Sequence, residues 1–381
     1  MSISQSLLDE VIAWRRELHQ YPELGFAEVK TSQRIAGLLE SFGLRVDVGM
    51  AQTGVIGTLS NGEGPTIGLR ADIDALPFTE LGQAEHKSCH QGVMHACGHD
   101  GHTAMLLGAA KYLSETRQFK GTVHFIFQPA EELLGGAKRM ADEGLFRDYP
   151  MSAVFGLHNW PALPAGHVAV NPGAMMASLD TFKITLTGKS GHAAMPEQGL
   201  DPIVCGSELV SALQTITSRR LSPLDSAVVS VTQFHGGEAT NVIPETVELQ
   251  GTFRCLDKQV RSKVKALIDD IANGVCRTHG LDCVCEFFDG YSVTENHPQQ
   301  ASQLYDVACS ALGADQVHWN FAPSMASEDF SCMLEHCPGA YFWLGAGESS
   351  RPLHNAYYDF NDTIVESGIR VWKTLIETLL K

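Results

Sequence analysis

The chain has 381 residues, a formal net charge of −17, and 44% hydrophobic and 19% charged residues. A single core rarely outgrows about 250–300 residues, so two domains are expected, and the composition excludes a disordered or low-complexity chain. The acidic balance and the lack of a basic amphipathic stretch argue against nucleic-acid and anionic-membrane partners, which need clustered Lys and Arg.

The first residues lack the basic start and apolar stretch of a signal peptide. They read instead as an amphipathic helix over 4–20, followed by a second over 26–43 that Gly43 closes. No apolar run reaches the roughly 18 residues of a membrane span, and the expected location is cytoplasmic. The ten cysteines include no C-x-x-C pair, and most are expected to be reduced, buried small hydrophobes.

Short strands are expected at 55–60 and 66–71, a helix at 99–114, and strands at 122–127, 153–158 and 168–170. This alternation predicts an α/β catalytic domain with a mostly parallel central sheet. The pattern changes near Ala177. Strands at 180–187, 227–234, 246–255 and 281–287, with helices at 202–220 and 259–279, follow the order βαββαβ of a ferredoxin-like α+β unit. Helix 301–312, strand 340–344 and helix 363–380 return to the first pattern. The expected organisation is a discontinuous metal-binding catalytic domain, 1–177 and 291–381, interrupted by an inserted lid or dimerisation domain, 178–290.

The densest chemistry lies in His95, Cys97, His99, Asp100 and His102. Three imidazoles and a thiol within eight residues exceed what packing explains. Thiolate and imidazole together suit zinc, nickel, cobalt, copper or iron. The segment precedes a helix, whose N-terminus is expected to favour the thiolate. A second element, Gln128-Pro129-Ala130-Glu131-Glu132, follows a strand end, where ligands of open α/β sheets gather. Its acidic pair also suits an ordinary helix start. His158 stands at another strand end, and His354 follows a glycine-rich turn. In the inserted unit, His192 sits in the glycine-rich turn 188–196, and Asn241 and Arg254 add an amide and a guanidinium able to meet a carboxylate. Gly188-Lys189-Ser190 is no phosphate loop, because Lys183 occupies the position of the required first glycine.

Seven segments, 14–24, 69–77, 95–102, 128–132, 156–161, 191–196 and 354–355, resemble the two-metal aminoacylase and carboxypeptidase-type metallopeptidases, specifically the branch of hippurate hydrolase and the auxin-conjugate amidohydrolases. The resemblance implies two divalent metal ions per chain. Cys97 would bridge them, and His99, Glu132, His158 and His354 would complete the set. Glu131 would act as general base, taking a proton from water and passing it to the leaving amine. His192 would reach the site from the inserted domain, within one chain or across a dimer interface. Asn241 and Arg254 would bind substrate. Many relatives carry a ligand His where this chain has Asp72, and a bridging Asp where it has Cys97. Asp72 and Asp74 are therefore expected behind the ligands, and Asp100 is expected to orient a ligand imidazole. Zinc, manganese, nickel and cobalt all remain compatible with one Cys, three His and one Glu.

The implied activity is hydrolysis of the amide bond of N-acyl amino acids, hippurate-like or N-acetyl, by a homodimer or dimer-based oligomer formed through the inserted domain. The alternatives are a dipeptidase or carboxypeptidase on the same site, and a catalytically silent metal-bound binding protein. A single closed structural zinc is disfavoured, because five donors exceed the four such a site uses.

Overall fold

The computed structural model describes residues 3–381. The chain divides into two compact units, one of residues 1–175, 295–322 and 329–381, the other of residues 176–294 and 323–328.

The first unit is built on an eight-stranded sheet in the order Arg45–Met50, Gly54–Asn61, Gly121–Gln128, Thr66–Asp72, Ala153–Pro161, Gly339–Gly347, Val168–Val170, Val317–Trp319. The central pairings, from Gly121–Gln128 through Thr66–Asp72 and Ala153–Pro161 to Gly339–Gly347, are parallel. Antiparallel pairs join the first strands to this block, as expected of a mixed sheet with its parallel part buried. Helices Gln5–Gln20, His99–Thr116, Pro298–Leu312 and Val365–Leu379 contribute Val11, Leu106, Leu304 and Trp372 to one core with Leu69, Phe125, Phe155 and Phe342 of the sheet. Ser4 caps the first helix by accepting from Leu7 N at 3.2 Å.

The second unit is an antiparallel sheet in the order Ala227–Gly236, Thr246–Cys255, Leu179–Thr187, Asp282–Tyr291. Helices Pro202–Leu213 and Lys258–His279 complete the βαββαβ order, and Asp201 and Asp257 cap them. Its core, which includes Phe182, Leu209, Leu249 and Ile268, is its own.

One local expectation changes, and two regions hold elements that were not expected. A strand at Arg45–Met50 had no counterpart in the pattern. The helix expected over 202–220 ends at Leu213 and continues only as a widened turn, closed by Leu221 N on Ile216 O at 3.0 Å. There Thr215 and Ser218 hydroxyls bond carbonyls three and four residues back, which loosens a helix. Short helices at Glu131–Leu134, Gly136–Glu143 and Leu145–Asp148 are separated by left-handed Gly135 and Gly144.

Candidate metal centre

Strand ends deliver most of the site. Thr66–Asp72, Gly121–Gln128 and Ala153–Pro161 run parallel or adjacent, so Asp72, Gln128 and His158 emerge at one edge of the sheet. Cys97 and His99 flank Gly98, whose left-handed φ of 98° turns the loop into the helix His99–Thr116. Glu131 and Glu132 begin their short helix after Ala130, itself left-handed at φ 54°. His354 is also left-handed, at φ 58°, with its N–H on Ala96 O at 2.8 Å. Two non-glycine residues in this sparsely populated region beside one cluster mark it as a place where surrounding contacts hold strain.

The side chains converge as two triads that share a thiol. Ligand atoms of Cys97, His99 and His158 lie within 4.8 Å of one another, and so do those of Cys97, Glu132 and His354. Cys97 Sγ is 3.3 Å from His158 Nε2, and His354 Nε2 is 3.1 Å from Glu132 Oε1. Glu131 forms a further group with His99 and Glu132.

The imidazoles are aimed by their far nitrogens. His99 Nδ1 faces Asp74 O at 2.9 Å and Asp74 Oδ1 at 3.2 Å. His158 Nδ1 faces Asn159 O at 2.7 Å. These partners only accept, so each Nδ1 carries a proton and each Nε2 is turned to the cluster. Asp74 also takes the Glu132 N–H on Oδ2 at 3.0 Å, which ties two of the expected ligands to one carboxylate.

The residues fit divalent metal. His99 Nε2 is buried without a hydrogen-bond partner, 4.0 Å from Glu132 Oε1, which is itself buried and shared with His354 Nε2. Such orphaned atoms are rare unless a water or ion belongs there. Burial, then the Glu132, Glu131 and Asp72 carboxylates, push the Cys97 thiol well above its ordinary range. This corrects the expectation that the helix start favours a thiolate: without a cation, desolvation and neighbouring anions outweigh it. Burial holds His158 neutral, with its pKa well below the usual range. Burial would lower His99 too, but Asp72, Asp74 and Glu132 raise it to about 10. A bound cation would reverse this balance, favouring the Cys97 thiolate and a neutral His99.

A third grouping, Asp72 with His99 and His102, is differently committed. Asp72 Oδ2 accepts from Arg70 Nη1 at 2.9 Å and Oδ1 from His102 Nδ1 at 2.6 Å. His102 Nε2 meets Asn159 at its backbone N (3.0 Å) and its Oδ1 (2.6 Å), and Asn159 Nδ2 donates to Tyr358 Oη at 2.7 Å. Both nitrogens of His102 are used in a buried frame behind the cluster. Arg70 extends that frame to Gln128 Oε1 (2.8 Å) and Asp329 Oδ1 (3.0 Å). Sequence reasoning missed Asn159, Tyr358, Asp329 and the role of His102. The density of histidine around Cys97 was the one available signal for the last.

Asp100 requires a correction. It does not orient an imidazole of the cluster. Neighbouring helical residues point about 100° apart, so with His99 facing the cluster Asp100 faces the first helix. There its Oδ2 meets His19 Nδ1 at 2.8 Å and Arg15 Nη1 at 3.5 Å. Burial would lower the His19 pKa, but Asp100 and Glu80 raise it to about 9.

His192, Asn241 and Arg254 belong to the second unit. His192 is exposed, pairs with Val242 in a short ladder, and accepts Ala194 N–H on Nδ1 at 3.0 Å. Asn241 O accepts from Ala193 N at 3.0 Å, which keeps the His192 and Asn241 segments together. Arg254 Nη1 donates to Met325 O at 3.1 Å and lies 3.4 Å from Ser327 Oγ.

Comparison with known proteins gives the family. The chain is 40% identical over 368 residues to hippurate hydrolase of Campylobacter jejuni, covering 96% of each chain. It is 39% identical over 350 residues to N-acetylcysteine deacetylase of Bacillus subtilis, covering 91% of each. It is 39% identical over 384 residues to IAA-amino acid hydrolase ILR1-like 2 of Arabidopsis thaliana, covering 99% of this chain and 87% of the relative. The crystal structure of the Bacillus subtilis YXEP protein, described as a dinuclear metal binding peptidase from the M20 family, superposes with a TM-score of 0.87 at 33% identity, covering 99% of both chains. The model of peptidase family M20/M25/M40 matches residues 68–378. The protein is thus a metal-dependent amidohydrolase, and the chain belongs to peptidase family M20/M25/M40.

Proposed function

We propose that this chain cleaves the amide bond of N-acyl amino acids, giving a carboxylic acid and a free amino acid, with two divalent metal ions held by Cys97, His99, Glu132, His158 and His354. The observation that carries the reading is the pair of triads sharing Cys97, with Glu131 beside them. Relatives named for hippurate, N-acetylcysteine and IAA-amino acids support the substrate class. Bound metals would polarise the amide carbonyl and acidify water. The thiolate and imidazoles suit zinc, nickel or cobalt, and the Glu132 carboxylate keeps manganese compatible.

Glu132 rather than Glu131 is assigned to metal, because its ligand oxygen groups with both Cys97 and His354, whereas Glu131 groups with neither. Glu131 is buried beside it and takes the proton of the attacking water, then delivers it to the leaving nitrogen. His192 donates to the developing oxyanion, and Asn241 and Arg254 hold the substrate's amide and carboxylate. Asp72 and Asp74 hold the ligands in place. The cysteines buried as small hydrophobes, such as Cys205, Cys255 and Cys276, fit the cytoplasmic setting that is part of this reading. Among the described residues no helix is long and apolar enough to cross a membrane. The terminal strand Ala227–Gly236 of the second unit exposes Val228 and Phe234, which supports a homodimer through that unit.

The test is Glu131→Gln, assayed on a panel of N-acyl amino acids and dipeptides after reloading the apoprotein with each metal. Metal content should remain while turnover falls by about 10²–10⁴. Near-normal turnover would remove Glu131 as base. Cleavage of dipeptides alone would shift the activity to the peptidase alternative.

A further inference from the structure

Beyond the ligand cluster, the strand Ala153–Pro161 places one more side chain on the face of His158. Residues two apart on a strand share a face, and Trp160 follows His158 by two. Its ring centroid is 6.2 Å from that of His158, the planes at 78°. Trp160 is half-buried. One face is stacked on Trp343, with centroids 4.0 Å apart and planes 8° from parallel. Trp343 is fully buried, sits opposite His158 in the parallel ladder, and is itself held edge-on by Phe321 at 5.9 Å. The residue opposite Trp160 is Gly345, where the carbonyls of Leu163 and Pro164 take the space of a side chain.

This arrangement makes a rigid planar wall that begins beside a proposed metal ligand. Of the two halves of an N-acyl amino acid, only one suits it. The face of an aromatic ring carries the negative part of its quadrupole. A carboxylate one bond from the amino acid's α-carbon is repelled by such a face and desolvated without a donor. The acyl half carries no charge, and a planar one stacks.

We propose that Trp160, backed by Trp343, is the wall of the acyl subsite and selects planar aromatic acyl groups over short aliphatic ones. The assignment rests on the function proposed above and names the half of the substrate that function leaves open. Trp160 acts here on specificity, touching the acyl group and taking no part in proton transfer.

The experiment compares kcat/KM for N-benzoylglycine and N-acetylglycine in the unaltered enzyme, Trp160→Ala and Trp160→Phe. The benzoyl-to-acetyl ratio should fall by about ten- to a hundredfold in Trp160→Ala and recover most of its value in Trp160→Phe. If Trp160→Ala does not fold, Trp160→Leu reads the same ratio with the volume largely retained. An unchanged ratio, with both compounds hydrolysed, overturns the subsite and leaves the proposed function standing. A loss that instead follows the amino-acid side chain, read as N-acetylphenylalanine against N-acetylglycine, overturns the assignment to the acyl half. If the unaltered enzyme hydrolyses neither N-acyl compound, the proposed function falls, and the subsite with it.

Discussion

At the scale of the residue, the clearest lesson is that the site's histidines have different occupations. His99 and His158 spend Nδ1 on oxygen acceptors and turn Nε2 to the cluster. His102, three residues beyond His99, spends both nitrogens on Asp72 and Asn159. Residue type and spacing alone do not separate these roles, because the separation depends on where Asp72 and Asn159 lie in space. The structure ties His102 to His158 through Asn159: the backbone N of Asn159 meets His102, and its carbonyl takes the His158 Nδ1 proton. His102→Ala should therefore weaken divalent-metal affinity by about 10–100-fold, the usual consequence of losing a partner behind a metal ligand. Chelator competition on the folded variant measures this. Unchanged affinity would show that the strand end holds His158 without help. The reverse lesson comes from Asp100, whose position beside His99 suggested a partner for a ligand. One step along a helix turns a side chain too far for that, and its partners are His19 and Arg15.

At the scale of the element, the loop that carries Cys97 into the helix depends on a backbone only glycine allows. Gly98 has φ 98°, and a Cβ there would lie 2.1 Å from Asn159 Oδ1 and 2.8 Å from Tyr358 Oη. Both neighbours belong to the buried frame and have little freedom to move. Gly98→Ala combines left-handed strain with overpacking and should cost about 2–4 kcal/mol. Gly62 has φ 81° with nothing within 4 Å of its would-be Cβ. Gly62→Ala carries the strain alone and should cost about 1 kcal/mol. Thermal melting of the two metal-free variants decides the point, and equal losses would mean the frame gives way to the added methyl. The elements themselves were legible where periodicity was strong. Strands 168–170 and 246–255 coincide with Val168–Val170 and Thr246–Cys255, and the βαββαβ order is as the pattern implied. The strand Arg45–Met50 was missed although Val46, Val48 and Met50 alternate with Arg45, Asp47 and Gly49; it is a terminal strand whose residues are exposed or half-buried, so no buried apolar run marked it. The turns that bring Glu131 and Glu132 round depend on left-handed Ala130, a conformation that the identity of alanine does not announce.

At the scale of the whole molecule, the chemistry is partitioned. Every proposed metal ligand and Glu131 lie in the first unit, while His192, Asn241 and Arg254 lie in the second. The change of pattern near Ala177 had already separated these two sets in the sequence, but it did not show the contacts, such as Asn159 to His102, that hold the first set together. The core around Leu69 and Phe125 and the core around Phe182 and Leu249 share no residue. Where the chain leaves the first unit and returns, Asn296 N bonds Gly173 O at 2.9 Å, so a short loop could join the two ends. Replacing residues 176–294, the larger of the second unit's two segments, with a short Gly/Ser linker should thus leave a folded protein with metal affinity within about tenfold of the full chain, since no proposed ligand is lost. Its amide hydrolysis should fall by at least about 10²–10³, the effect of losing even one oxyanion donor. Calorimetric metal titration and an N-acyl amino acid assay on the shortened chain give the two readings separately. Loss of metal from a folded shortened chain would mean that the second unit contributes to the ligand frame. Retained turnover would mean that the oxyanion and the substrate carboxylate are held by the first unit alone, and would remove His192 and Arg254 from their proposed roles.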